Sequence, residues 1–296
     1  MPKTSAIPSD IIGLNKAAPV SRRNFFMTAS AAAAAGYTLA AGPVRAEAIK
    51  TGTAGLKTGD AKVKVSGGDM PVYFARPEHT QNPPVILVCM EVFGLHEYIK
   101  DVTRRLAKAG AFAAAPDYYF RSGDLVKVTE MSQLMPLVNK KTDAELMADL
   151  DATAAWAKAQ GGDTGRLGVV GFCRGGRSVW EYAAHNGNLK AAVAFYGPLI
   201  DPDAQKSIWP KSPMELASEM KAPVLGLYGE NDQGIPPAQV EQMKAALEKA
   251  HKTASFHIYP GAGHGFHADY RPSYNKQAAE DAWQRAIAWF KKYKVL

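Results

Sequence analysis

Cys173 stands in the run Leu167-Gly-Val-Val-Gly-Phe-Cys-Arg-Gly-Gly-Arg-Ser-Val-Trp180, where a short apolar stretch gives way to a helical pattern. A thiol placed there can act as a nucleophile. Gly171 and Gly175, two positions to either side, and Gly176 beyond them permit a sharp strand-to-helix bend at which a Cβ would collide with nearby backbone. The bend sets the side chain at a helix N-terminus, whose unpaired N–H groups and dipole favour a thiolate and a developing oxyanion. The same letters also suit an inert buried thiol on an ordinary parallel-strand-to-helix turn. Because a free thiol has a pKa of about 8.5, catalysis near neutrality needs a base and an acid elsewhere in the chain.

Both occur downstream. Ala222-Pro-Val-Leu-Gly-Leu-Tyr-Gly-Glu-Asn-Asp-Gln-Gly-Ile-Pro236 reads as a buried strand leading into a turn, and Asp232 in that turn can hold the Nδ1–H of a histidine. Glu230 is its local competitor, but the Gly-Glu-Asn-Asp order and the Gly-Ile-Pro exit favour Asp232. After the next apolar stretch comes Pro260-Gly-Ala-Gly-His264-Gly-Phe-His-Ala-Asp269, a glycine-rich loop able to carry His264 toward the thiol. Cys173, Asp232 and His264 thus follow the α/β-hydrolase order of nucleophile, acid and base. The other six histidines have no spacing that demands a metal, so neither a metal nor a cofactor is expected. Upstream, Glu91 follows an apolar run in Cys89-Met-Glu-Val-Phe-Gly-Leu-His-Glu-Tyr98. It reads equally as a solvated loop residue and as a proton acceptor for the thiol. The backbone N–H groups of Val92 and Arg174 are the expected oxyanion donors.

The elements that must position these groups are legible in outline. Two period-two stretches, 61–65 and 70–75, flank Ser66-Gly-Gly-Asp69 and predict an antiparallel hairpin. From Pro84 onward the pattern changes to continuous apolar strands at 85–90, 111–115, 167–172, 191–195, 224–228 and 255–259. Amphipathic helices alternate with them at 98–109, 143–160, 174–185, 237–249 and 276–292. Such alternation predicts an α/β fold, a mostly parallel sheet with an antiparallel N-terminal edge and helices on both faces. Long connections at 121–142 and 198–220 are expected to shape the pocket at the strands' C-terminal edge.

Composition narrows the class. A chain of 296 residues, 47% hydrophobic, can bury one sizeable core. The formal charge is +7, of which residues 1–46 supply +4 through Lys3, Lys16, Arg22, Arg23 and Arg45 against Asp10. The remainder has no dense basic run, so no nucleic-acid partner is expected. Ser21-Arg22-Arg23-Asn24-Phe25-Phe26 and the alanine-rich run behind it match a twin-arginine export signal, with cleavage after Ala46 or Ala48. The run is too weakly apolar for a membrane anchor. Residues 1–46 are therefore read as the leader, 47–60 as a flexible tether and 61–296 as a single catalytic domain. The periplasm is the expected location, with the twin-arginine machinery as the export partner and a monomer as the working form. Two cysteines in an oxidising compartment could pair, but Cys89 lies inside a buried-strand pattern and Cys173 above the sheet, which predicts two free thiols.

Together these motifs resemble the dienelactone hydrolase family, the carboxymethylenebutenolidases, a cysteine branch of the α/β hydrolases. The resemblance runs from about Lys62 to the C-terminus through Glu91-Val-Phe-Gly94, Pro116-Asp-Tyr-Tyr119, Gly171-Phe-Cys-Arg-Gly-Gly176, Gly229-Glu-Asn-Asp232 and Gly263-His-Gly-Phe266. It implies a Cys173–His264–Asp232 triad in which Glu91 holds the resting thiol and takes its proton when substrate arrives. It also implies attack on an enol-lactone and a thioester intermediate. The chain departs from the family where the substrate's carboxylate is clamped: the family's arginine four residues after the histidine falls on Ala268. The second clamp position finds only Lys127, Lys140 and Lys141, which leaves Arg121 and Arg271 as candidate substrate-binding residues. The expected activity is hydrolysis of a small-molecule ester or lactone. The alternatives are a general carboxylesterase, thioesterase or acyl-peptide hydrolase of the same fold, and a non-catalytic binding module on that scaffold.

Overall fold

The computed structural model describes residues 48–296. The expected twin-arginine leader, residues 1–46, lies outside them. The fully apolar runs become central strands because a strand covered on both faces has no polar side to present. These are β3 (Pro84–Cys89), β4 (Phe112–Pro116), β6 (Leu189–Phe195) and β7 (Val224–Gly229), together with the inner half of β5 (Asp163–Phe172). With β1 (Leu56–Val65), β2 (Gly68–Pro77) and β8 (Ala254–Tyr259) they form one eight-stranded sheet in the order β1-β2-β4-β3-β5-β6-β7-β8. β1 and β2 pair antiparallel, β2 meets β4 antiparallel, and every other neighbour is parallel.

Helix α1 (Glu97–Lys108) packs on β1, β2 and β4, while α3 (Asp143–Ala159) and α4 (Arg174–His185) pack on each other and over β3 and β5. α5 (Pro237–Lys249) lies on β7 and β8, and α6 (Lys276–Lys292) on β6 and β7. Strand β5 shows that both faces are covered. A Cβ at Gly168 would meet Phe290 of α6, whereas one at Gly171, an odd number of residues away, would meet Gly175 of α4.

Register then aligns the ends of the strands. Cys89 lies opposite Gly171, Gly171 opposite Ala194, and Phe195 opposite Leu227, so the chain leaves β3, β5, β6 and β7 along one edge. Glu91, Cys173, Tyr196 and Asp232 all follow within a few residues of those ends, where open α/β sheets bind ligands.

Two expectations need correction. β1 begins at Leu56, five residues before 61, and the segment ahead of it is no loose tether. The Thr51 amide and hydroxyl donate to the Asp101 carboxylate at 2.5 and 3.2 Å, and Arg104 Nε donates to the Thr51 carbonyl at 2.9 Å. The connection 121–142 also contains a short helix, α2 (Met131–Val138), beside the pocket.

Candidate active site

Cys173 caps α4 with φ 55° and ψ −121°, a left-handed backbone that a non-glycine residue adopts only under constraint. The constraint is visible on both sides. The Cys173 amide donates to the Phe195 carbonyl at 3.0 Å, and its own carbonyl accepts from the amides of Gly176 at 2.8 Å and Arg177 at 3.2 Å. The close approach of helix and strand leaves no room for side chains: a Cβ at Gly171 would lie 2.2 Å from the Gly175 carbonyl oxygen, and one at Gly175 2.2 Å from that of Cys89. The thiol is buried at 4% exposure. Cys89 is buried too, and neither cysteine is in a disulfide.

The side chains expected as acid and base are in contact. His264 Nδ1 donates to Asp232 Oδ2 at 2.7 Å, while Asp232 Oδ1 accepts from the amides of Gly234 at 3.0 Å and Ile235 at 3.1 Å. A buried carboxylate with all its donors in place can orient an imidazole rigidly. Burial alone would drive His264 toward its neutral form; the charges of Asp232 and Cys173 outweigh it and push the pKa up to about 10. The opposite nitrogen, Nε2, is buried, and hydrogen bonding between the His264 ring and Cys173 adds to the upward shift. Glu230 is excluded from the acid's role, because its exposed carboxylate accepts from the Gly261 amide at 2.8 Å.

Glu91 is not a solvated loop residue. It is fully buried, and its Oε2 accepts from the Tyr270 hydroxyl at 2.6 Å, with His96 Nε2 at 3.4 Å and Arg271 Nη1 3.5 Å from Oε1. Burial raises its pKa, yet the His96 hydrogen bond, the Arg271 charge and the Tyr270 hydroxyl together bring it below the ordinary carboxylate value. No hydrogen bond joins it to Cys173 among the described residues. The contact with the resting thiol that the resemblance implied is therefore replaced by this three-sided cage.

The two candidate clamps also fall elsewhere. Arg121 lies away from the pocket, forming a bidentate pair with Asp149 at 2.8 and 2.9 Å and bonding the Ser66 carbonyl at 2.8 Å. Sequence spacing could not reveal that α3 turns Asp149 toward it. Arg271 is at the site, but it is buried against Glu91 rather than set in the substrate cavity. Ala268 is fully buried and offers no charge.

The cavity beside Cys173 has a volume of about 80 Å³. Val92 and Arg174, the expected oxyanion donors, line it together with Met135 from the first long connection and Ile200 and Trp209 from the second. Arg174 opens α4, so its amide is one of the helix's unpaired N-terminal donors. Neither that amide nor Val92's donates to a backbone carbonyl among the described residues. The sequence reading missed His96 and Tyr270 around Glu91, and it missed Tyr196. The Tyr196 ring lies 5.1 Å from that of His264, on a backbone with φ 38°. His96 was within reach, five residues beyond Glu91 on the same loop; Tyr270 and Tyr196 carried no local signal.

The family model "Dienelactone hydrolase family" matches residues 70–294. The chain belongs to the dienelactone hydrolase family. Among relatives, it is 47% identical over 294 residues to a "Putative carboxymethylenebutenolidase" of Methylorubrum extorquens, covering 98% of this chain and 99% of the relative. An Escherichia coli protein of the same name is 46% identical over 260 residues, covering 87% of this chain and 95% of its own. The crystal structure of a "Putative Dienelactone Hydrolase" from Klebsiella pneumoniae superposes with a TM-score of 0.78 at 47% identity, covering 80% of this chain and 99% of that one. This member of the dienelactone hydrolase family is thus a hydrolase by descent, with the α/β-hydrolase fold that the sequence predicted.

Proposed function

We propose that this chain hydrolyses an activated ester or enol-lactone through a thioester on Cys173. The observation that carries the reading is a strained, helix-capping cysteine next to a buried histidine whose Nδ1 lies 2.7 Å from Asp232. Glu91, kept ionised by its cage, accepts the thiol proton. The resulting thiolate sits beside protonated His264, and its electron pair attacks the substrate carbonyl carbon. The C=O π pair moves onto oxygen, where the Val92 and Arg174 amides receive it. Collapse breaks the C–O bond, and the leaving oxygen departs with the pair and takes the proton of His264, which leaves the imidazole neutral. Neutral His264 then takes a proton from water. The hydroxide so formed adds to the thioester and expels the thiolate, the acid product leaves, and the proton held by Glu91 returns to sulfur, which regenerates the resting thiol.

The comparisons support a hydrolase; the cysteine route rests on the geometry. The leader pattern supports export through the twin-arginine machinery to the periplasm. The chemistry needs neither cofactor nor second subunit. The test follows dienelactone ring opening by its ultraviolet absorbance, beside a simple aryl ester, for the mature protein and Cys173→Ala. The substitution should lower kcat/KM by at least about a thousandfold. If only the aryl ester is consumed, the general carboxylesterase reading replaces the lactonase one. If Cys173→Ala changes neither rate, the thiol is not the nucleophile.

A further inference from the structure

The cations around the site are already committed, and the cavity beside the nucleophile is apolar. Arg121 is held by Asp149, Lys141 is buried against that same carboxylate, and Arg271 is buried against Glu91. Lys127 is exposed and paired with Asp124 at 3.0 Å. Arg174 alone among the described cations lines the cavity. Its guanidinium lies flat on Trp209, 3.5 Å from the ring centre, and 3.5 Å from Asp201 Oδ1. Asp201 lines the cavity too, and Arg177 Nε donates to both of its oxygens at 2.8 and 2.7 Å. The lining therefore carries its own anion, and almost no polar atom reaches its surface. A substrate carboxylate entering here would lose its water and meet Asp201, while the one cation in the lining, Arg174, is already held by Asp201 and Trp209, which makes the burial costly. Space beside the thiol is limited as well, with a cavity volume of about 80 Å³.

We infer that the acyl part of the substrate is small and uncharged, a short-chain ester or an unsubstituted lactone, and not the carboxylate-bearing lactone that the family's arginine clamp serves. The inference rests on the Cys173 hydrolase reading and narrows it. Met135 and Trp209 set the depth of the acyl cavity, and Asp201 with Arg174 keeps it closed to anions.

The test compares the 4-nitrophenyl ester of valeric acid with the mono-4-nitrophenyl ester of glutaric acid at pH 7.5. The two acyl chains differ only in a terminal methyl against a carboxylate, which is ionised at that pH. Rates are corrected with Cys173→Ala for uncatalysed ring closure. The neutral ester should lead in kcat/KM by about thirtyfold; a lead above about tenfold supports the inference, and any smaller ratio or a preference for the anion overturns it. A series from acetate to octanoate with the wild type and Met135→Ala provides the second readout. The preferred chain should lengthen by about one or two carbons in the variant. An unmoved optimum would mean that this cavity does not receive the acyl chain. Should wild type and Cys173→Ala turn over every ester equally, the hydrolase reading itself fails; Cys173-dependent turnover with an anionic preference sinks only the acyl class.

Discussion

Two buried carboxylates belong to the candidate site around Cys173, the proposed nucleophile, and they are held in different ways. Asp232 takes two backbone amides and one histidine, all donors from the turns at the ends of β7 and β8. Glu91 takes a tyrosine hydroxyl, a histidine and an arginine, side chains from two loops far apart in sequence. Backbone donors fix a position through the fold itself. Side-chain donors fix it only while both loops stay packed. Asp232 is therefore a rigid support for His264, whereas the hold on Glu91 depends on the packing of two loops, an arrangement compatible with its proposed role as proton acceptor.

Asp232→Asn should break the first arrangement with the largest effect, a fall of about a thousandfold in kcat/KM on an aryl ester, because the amide favours the wrong imidazole tautomer. It also carries a pH signature. The folded-state pKa of His264, about 10, lies above the ordinary histidine value of about 6.5. The protonated ring therefore contributes its full stability below about pH 6.5, and loses it as pH rises through about 10. Denaturant titrations of the wild type should show stability declining across that window. In Asp232→Asn the decline should be much smaller. Equal slopes in the two proteins would mean that Asp232 does not hold the imidazolium.

The same contrast decided what the sequence could reveal. Cys173, Asp232 and His264 each sit in a short motif of glycines and turn formers, because a backbone-built position leaves a backbone signature. The cage around Glu91 left none: Tyr270 lies 179 residues away and is an ordinary loop tyrosine until the fold brings it in. The start of β1 escaped for a different reason. On an edge strand only Val63 is buried, so Leu56-Lys-Thr-Gly-Asp60 carries no alternation to read. The parallel pairing of β3 through β8, by contrast, follows from the strand–helix alternation that the pattern already required.

Tyr270→Phe sharpens the comparison at intermediate size. It removes the 2.6 Å donor from Glu91 without changing the ring's packing. The loss should cost about 1.5–3 kcal/mol of stability in a denaturant titration, since the acceptor is a buried ion. Activity on an aryl ester should fall by about tenfold, with the acidic limb of the pH–rate profile moving upward as Glu91 protonates more readily. A stability loss with an unmoved profile would make Glu91 a structural anion and leave another group to take the thiol proton.

The smallest catalytic effect belongs to Arg121→Met. The sequence put this arginine at the substrate, and the structure puts it on Asp149, a buried carboxylate that also holds Lys141. Removing Arg121 leaves Lys141 as the remaining cation on Asp149, and the Arg121 side chain is itself one-fifth exposed, so the expected cost is about 2 kcal/mol rather than that of an isolated buried charge. Because the lesion is remote from the cavity, kcat/KM should stay within about twofold for neutral and anionic esters alike. The discriminating result is a KM that rises for the glutarate monoester alone. That would restore Arg121 as a clamp and extend the substrate site past the apolar cavity toward β2 and α3; an unchanged KM, with stability lower, leaves charge selection to Arg174 and Asp201.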